Sequence, residues 1–178
     1  MGRAMLTGKT IAFIGPGQMA QAMIAGLLHR RRAPDIVASG PLAEQNTQLH
    51  RQWGIRTMWD NAAAVQDAHV VVLSVKPQHA PAAMASIRGH LRPDVLVLSI
   101  VAGLSIPRIQ ESLSHTHVVR AMPNTPARIG QGITVAATSP GMEETHKAQA
   151  LEILNALGET IVVDDEEMLD MATALSGT

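Results

Sequence analysis

Residues 10–28, TIAFIGPGQMAQAMIAGLL, constrain the fold more than any other part of the chain. Residues 11–14 are a short apolar run that reads as a buried strand. Gly15, Pro16, Gly17, Gln18, Met19 and Ala20 then form a Gly-x-Gly-x-x-Ala turn. Beyond it, Met19, Ala20, Met23, Ile24, Leu27 and Leu28 recur at spacings that share one helix face. Strand, glycine turn and helix in that order fit a dinucleotide-binding corner. Gly15 lets the chain turn sharply, Gly17 lets a diphosphate approach the backbone, and Ala20 lets the helix lie close on the strand. The helix N-terminus offers unpaired N–H groups and a partial positive charge to phosphates. An ordinary strand–turn–helix corner carries some of the same residues, so the turn alone does not decide between the two readings.

The rest of the chain alternates in the same way. Basic residues His29 to Arg32 follow the first helix, where they complement the negative end of its dipole, and read as a solvated terminus rather than a phosphate patch. Residues 35–39 (DIVAS) form a second strand. Its end, Ala38-Ser39-Gly40-Pro41, carries no acid where an NAD-selecting unit places one for the ribose hydroxyls. That leaves room for a 2′-phosphate, to which Ser39 can donate. A helix over 42–53 ends at Gly54 as C-cap, a short strand follows at 55–58, and Asp60 or Asn61 caps a helix from 61. Residues 69–75 (HVVVLSV) and 95–101 (VLVLSIV) are apolar, β-branched runs typical of parallel strands buried on both faces. Ligands of open parallel sheets lie outside the carboxyl ends of the strands. Ser74, Val75, Lys76 and Pro77 stand at one such end, and Ala102-Gly103 at another, small enough to admit a flat ring. Lys76 reads equally well as a solvated lysine before a proline turn. Ser105 caps a helix that carries an early proline. A strand over 117–122 leads to Pro123-Asn124-Thr125-Pro126, a rigid loop with donors and acceptors at another strand end. A strand over 132–138, a helix over 143–157 with Gly158 as C-cap, and a strand over 160–163 complete the alternation. Asp164 to Glu167 reads as the acidic first turn of a helix rather than a metal cluster, because an outward-facing turn does not converge oxygens on a cation. The pattern predicts an α/β fold: a Rossmann-like, doubly wound, mostly parallel open sheet with helices on both faces. Residues 1–9 are expected to be a disordered lead-in, 10–164 one dinucleotide-binding domain, and 165–178 the start of a helical segment.

Composition removes other classes. The chain has 178 residues, 46% apolar and 16% charged, so it can bury a real core. A net charge of −1 argues against nucleic-acid and anionic-membrane partners. No apolar run approaches membrane-spanning length. There is no cysteine, which suits a reducing compartment. Eight scattered histidines form no His-x-x-x-His pair, so no metal site is expected. The Gly-x-Ser-x-Gly elbow and the Gly-Lys-Ser/Thr ending of a P-loop are both missing. With no evident acid–base pair, the chain either binds a dinucleotide without turnover or runs a reaction that needs little help from protein acids. Hydride transfer to a protonated imine is such a reaction, because positioning alone supplies much of the rate.

Four segments together carry a family resemblance: FIGPGQMA at 13–20, SVKPQ at 74–78, SIVAG at 99–103 and RAMPNTPA at 120–127. In order and spacing they resemble the signature segments of pyrroline-5-carboxylate reductase. The resemblance implies reduction of 1-pyrroline-5-carboxylate to L-proline with NADP(H) or NAD(H), in the cytoplasm, by a homo-oligomer. It implies that Ile14, Gly15, Pro16, Gly17, Gln18 and Met19 hold the diphosphate. It assigns Asn61 and Ser74, Val75, Lys76 and Pro77 to the adenosine portion. It assigns Ile100, Val101 and Ala102 to the nicotinamide, with Asn124 and Thr125 near the reacting ring. Gly40 stands where the family often has a polar contact to the ribose phosphate, which weakens the NADP preference. Catalytic residues remain unassigned. Family members continue past Leu175-Ser176-Gly177-Thr178 into a helical domain that forms the dimer and holds the substrate carboxylate, so this chain is expected to be the cofactor domain and inactive alone. The rival readings are a non-catalytic dinucleotide-binding module, or another Rossmann reductase acting on a deazaflavin or a 3-hydroxy acid.

Overall fold

The computed structural model describes residues 5–176. Eight strands form one sheet: β1 Thr10–Ile14, β2 Asp35–Ser39, β3 Arg56–Met58, β4 Val70–Leu73, β5 Leu96–Ser99, β6 Val118–Pro123, β7 Gly132–Thr138 and β8 Gly158–Val162. The described residues also form seven α-helices: α1 Gln18–Leu28, α2 Ala43–Trp53, α3 Asn61–Val65, α4 Ala80–Ile87, α5 Ile106–Leu113, α6 Glu144–Leu154 and, after the last strand, α7 Glu167–Ser176. The strand order is β3-β2-β1-β4-β5-β6-β7-β8. The first six strands are parallel, β7 runs antiparallel to β6, and β8 is parallel to β7. Order reverses between β1 and β4, the switch point at which a Rossmann sheet opens a crevice.

Why the central strands are apolar throughout is visible in the cores. Ile11, Phe13, Val70, Val72, Leu96 and Leu98 face one layer, with α1, Leu49 of α2 and Ile153 and Leu154 of α6. Ala12, Ile14, Val71, Leu73 and Val97 face the other, with Val65, Met84, Ile109 and Leu169 of α3, α4, α5 and α7. Successive strand residues point to opposite faces, so a strand covered on both sides needs no polar alternation. Gly54 closes α2 in the left-handed conformation at φ 67°. The Asp60 carboxylate accepts the Ala62 N–H at 2.9 Å and caps α3.

Several expectations are corrected. The chain before β1 is ordered from residue 5: Leu6 is fully buried in the first core and the Met5 N–H donates to Glu152 at 2.7 Å. Residues 1–4 lie outside the described residues, as do 177 and 178. Arg30 is not a solvated helix terminus. It donates to the Glu152 side chain at 2.8 Å and to the Glu152 carbonyl at 2.6 Å, tying the end of α1 to α6. Helix α6 stops at Leu154 with Asn155 as C-cap. Gly158 is instead the first residue of β8, opposite Gly132, where a Cβ would collide with the Gly132 backbone. The rigid loop expected at residues 123–126 runs into a 3-10 helix, Thr125–Ile129, packed on α1. The acids 164–167 do not all face outward. The Asp165 carboxylate caps α7 by accepting the Glu167 N–H at 2.9 Å, whereas Glu166 turns inward.

Candidate dinucleotide site at the switch point

The glycine turn sits at the carboxyl end of β1, beside the carboxyl end of β4. Gly15 has φ 81°, and its N–H donates to the Ser39 carbonyl at 2.9 Å. A Cβ there would strike Val75 and lie 2.9 Å from the Val75 Cα, so the β4 loop closes directly on Gly15. Only glycine fits both demands. Gly17 is different. It is exposed, has extended backbone at φ −71°, and is the N-cap of α1 with no side-chain capping bond. The nearest atom to a Cβ on Gly17 is the Ser74 carbonyl oxygen at 3.9 Å, so the missing side chain leaves open space in front of the helix. The first-turn N–H groups of α1 therefore face a gap rather than a protein acceptor. This is what a diphosphate needs: backbone donors, helix polarity and room. The residues present fit the group.

The rest of the turn is braced. Gln21 and Gln45 both donate to the Pro16 carbonyl, at 3.0 and 2.9 Å. A Cβ on Gly40 would lie 3.0 Å from the Pro16 ring. The buried Asn46 amide donates to the Gly40 and Met58 carbonyls at 2.9 and 3.2 Å. The Ser74 hydroxyl lies within hydrogen-bond distance of the Ile14 and Gly15 carbonyls, at 3.1 and 2.9 Å, pinning the β4 loop to the glycine turn. Neither the glutamines nor Asn46 could be assigned from sequence, because their acceptors are backbone carbonyls brought up by other elements.

The predicted residues fall into two groups. Gly15, Pro16, Gly17, Gln18, Met19, Ser74, Val75, Lys76 and Pro77 come together at the β1–β4 crevice, while Ile100 and Ala102 follow the adjacent β5. Lys76 is exposed there, with no ion-pair partner among the described residues. Ala102 and Gly103 are exposed and small, as expected beside a flat ring. Others are already committed. Ser39 is fully buried and its hydroxyl donates to Asn61 Oδ1 at 2.7 Å, so the expectation that it presents a donor to a 2′-phosphate is not met. Asn61 in turn donates to the Ser86 hydroxyl at 3.0 Å. The Val101 and Ile14 side chains are buried in the second core, so only their backbones can line the crevice. Asn124 Oδ1 accepts the Ile133 N–H at 3.0 Å and Asn124 O accepts the Ala127 N–H at 3.0 Å; the residue braces the turn after β6. Thr125 is exposed beside it.

One polar constellation joins Arg120, the first residue of the 120–127 segment, to acids whose pairing with it nothing in the sequence predicted. Arg120, in the middle of β6, is 2% exposed. It donates to Glu166 at 3.0 Å and to Asp170 at 2.6 Å. Burial works against its charge, yet the two carboxylates outweigh that and raise its pKa. Glu166 also accepts the Ile106 N–H, the first of α5, at 2.8 Å. Ser105, the expected cap of α5, makes no side-chain capping bond.

Comparison with known proteins agrees with this layout. Residues 10–103 match the family described as NADP oxidoreductase, coenzyme F420-dependent. The chain is 40% identical over 170 residues to a pyrroline-5-carboxylate reductase of Pseudomonas aeruginosa, covering 94% of this chain and 62% of that protein. A pyrroline-5-carboxylate reductase structure from Coxiella burnetii superposes with a TM-score of 0.90 at 30% identity, over 96% of this chain and 64% of the other. A Plasmodium falciparum pyrroline carboxylate reductase with NADP bound superposes with a TM-score of 0.81 at 26% identity, over 97% and 63%. The chain thus spans less than two thirds of the length of these relatives.

Proposed function

The chain belongs to the NADP oxidoreductase, coenzyme F420-dependent family and matches the amino-terminal NAD(P)-binding domain of pyrroline-5-carboxylate reductases; from that premise we propose that it binds NADP(H) or NAD(H) for the reduction of 1-pyrroline-5-carboxylate to L-proline. The observation that carries the reading is the open, side-chain-free N-terminus of α1 at the sheet's switch point. The first-turn amides of α1 bind the diphosphate, and the Ser74 hydroxyl keeps the β4 loop at the right height beside them. The exposed residues Ala102 and Gly103 leave space for the ring, and the exposed Thr125 is proposed for the substrate side. Bound there, the cofactor supplies a hydride to the imine carbon. The protein's part is orientation, which is a large share of the barrier for an already electrophilic carbon.

Because the chain covers under two thirds of its relatives, cofactor binding is proposed for these 178 residues, and turnover, a cytoplasmic setting and a homo-oligomer for a chain of the relatives' length. Calorimetric titration with NADPH and NADH tests the reading. Saturable binding of NADPH is expected, and no heat of binding with either nucleotide would refute it. Proline formation from pyrroline-5-carboxylate and NADPH separates this enzyme from reductases of a deazaflavin or a 3-hydroxy acid.

A further inference from the structure

The helix that follows the loop after β5 is capped from far away. Helix α5 begins at Ile106, immediately after residues 101–105, and its own N-cap Ser105 leaves the first N–H groups without a side-chain partner. Glu166 supplies one, accepting the Ile106 N–H at 2.8 Å from sixty residues further along the chain. The same oxygen accepts from Arg120 at 3.0 Å, and Arg120 reaches Asp170 one turn along α7. Three elements, β6, α5 and α7, therefore meet at one carboxylate. A carboxylate at a helix N-terminus is favoured both as a cap and by the dipole. The other end of the loop is held separately: the Ile100 N–H donates to the Leu73 carbonyl at 3.0 Å, and the Val101 N–H donates to the Ser99 hydroxyl at 3.3 Å. Between those two anchors only Ala102 and Gly103 are exposed, and Gly103 takes φ 69°.

We propose that Glu166 is a positioning residue for the nicotinamide ring: by capping α5 while gripped by Arg120, it sets how far residues 101–105 project over the crevice. Seating of the ring is thereby coupled to the seating of α7, which Leu169 and Asp170 fix on the sheet. The glycine turn before α1 is braced instead by the Ser39 carbonyl, Gln21, Gln45 and Ser74, none of which belongs to this cluster. The inference rests on the cofactor reading above, so its test compares two ligands that differ only in the ring: NADPH, and 2′-phospho-ADP-ribose, which lacks nicotinamide. The wild-type 178-residue chain is expected to bind NADPH at least about fivefold more tightly than the analogue. Glu166→Ala is expected to remove that preference while leaving the affinity for the analogue within about twofold. Adding Ser105→Asp, which caps α5 locally, is expected to restore the preference without Glu166; that double variant carries the comparison if Glu166→Ala does not fold. Equal wild-type affinities for the two ligands, a parallel loss of both in Glu166→Ala, or no rescue by Ser105→Asp would overturn the inference. Binding of neither ligand by the wild type would overturn the cofactor reading and this one together, whereas analogue binding without a ring preference would overturn this one alone.

Discussion

Two glycines two residues apart are required for different reasons, and substitution should separate them. Gly15 is fixed by its positive φ and by Val75. Gly15→Ala is expected to cost about 1–3 kcal/mol of stability, read as a lower urea midpoint, because strain and overlap act together. Gly17 has ordinary backbone and space for a side chain. Gly17→Val is expected to leave the melting temperature nearly unchanged and weaken NADPH by more than about tenfold, since the side chain would cover the first-turn amides. Unfolding of that variant, or undiminished binding, would contradict the assignment. The turn's shape was legible in sequence because glycine spacing is a local property. The use of Ser39 was not. Its hydroxyl reads as a free donor until Asn61, 22 residues away, is brought within 2.7 Å of it.

At the scale of elements, the segment before β1 changes most between expectation and structure. Residues 1–9 carry Arg3 and Lys9 and no sustained apolar run, so the stretch reads as a disordered lead-in. Leu6 is nevertheless fully buried beneath α1 and α6. Leu6→Ala is expected to cost about 2–5 kcal/mol, the range for a buried leucine truncated in a packed core; a tail without structure would show almost no change. Helix α6 shows the converse error. Gly158 looks like a C-cap because glycine commonly ends helices, but here it is required by the close approach of β8 to Gly132. A glycine marks a place where side chains do not fit, and the sequence does not say which neighbour excludes them.

For the molecule as a whole, stability should depend on acidity through histidines remote from the crevice. His115 is buried near the start of β5, with Nε2 2.7 Å from the Val95 carbonyl. Its ring stacks edge-on with His117 at 5.7 Å, and His117 lies 4.6 Å from His146. Burial lowers its pKa first, the Val95 carbonyl opposes this, and His117 and His146 lower it further. His69 is lowered as well, by burial and then by Lys9 and Arg92, with Asp94 opposing. Both groups bind protons more readily unfolded than folded, so stability is full above the unfolded value of about 6.5 and declines as pH falls from there through each folded pKa. Urea midpoints measured across that window should fall on acidification, and His115→Gln should flatten part of the slope. An unchanged midpoint down to about pH 5 would show that the cluster is not coupled to folding. Cofactor acts in the other direction: NADPH at a hundred times its Kd should add about 2.7 kcal/mol to stability, seen as a raised melting temperature.

By itself the sequence determined the succession of strands and helices and the glycine turn between β1 and α1. Apolar runs, helical spacing and the glycine turn all act over a few residues, and none needs a distant partner. Tertiary structure alone decided that β7 turns antiparallel, that Leu6 enters the core, that the Ser39 hydroxyl donates a hydrogen bond to Asn61, and that Glu166 rather than Ser105 caps α5. Each of these joins groups from different elements, and a buried donor or charge takes whichever partner the packing delivers, at any distance along the chain.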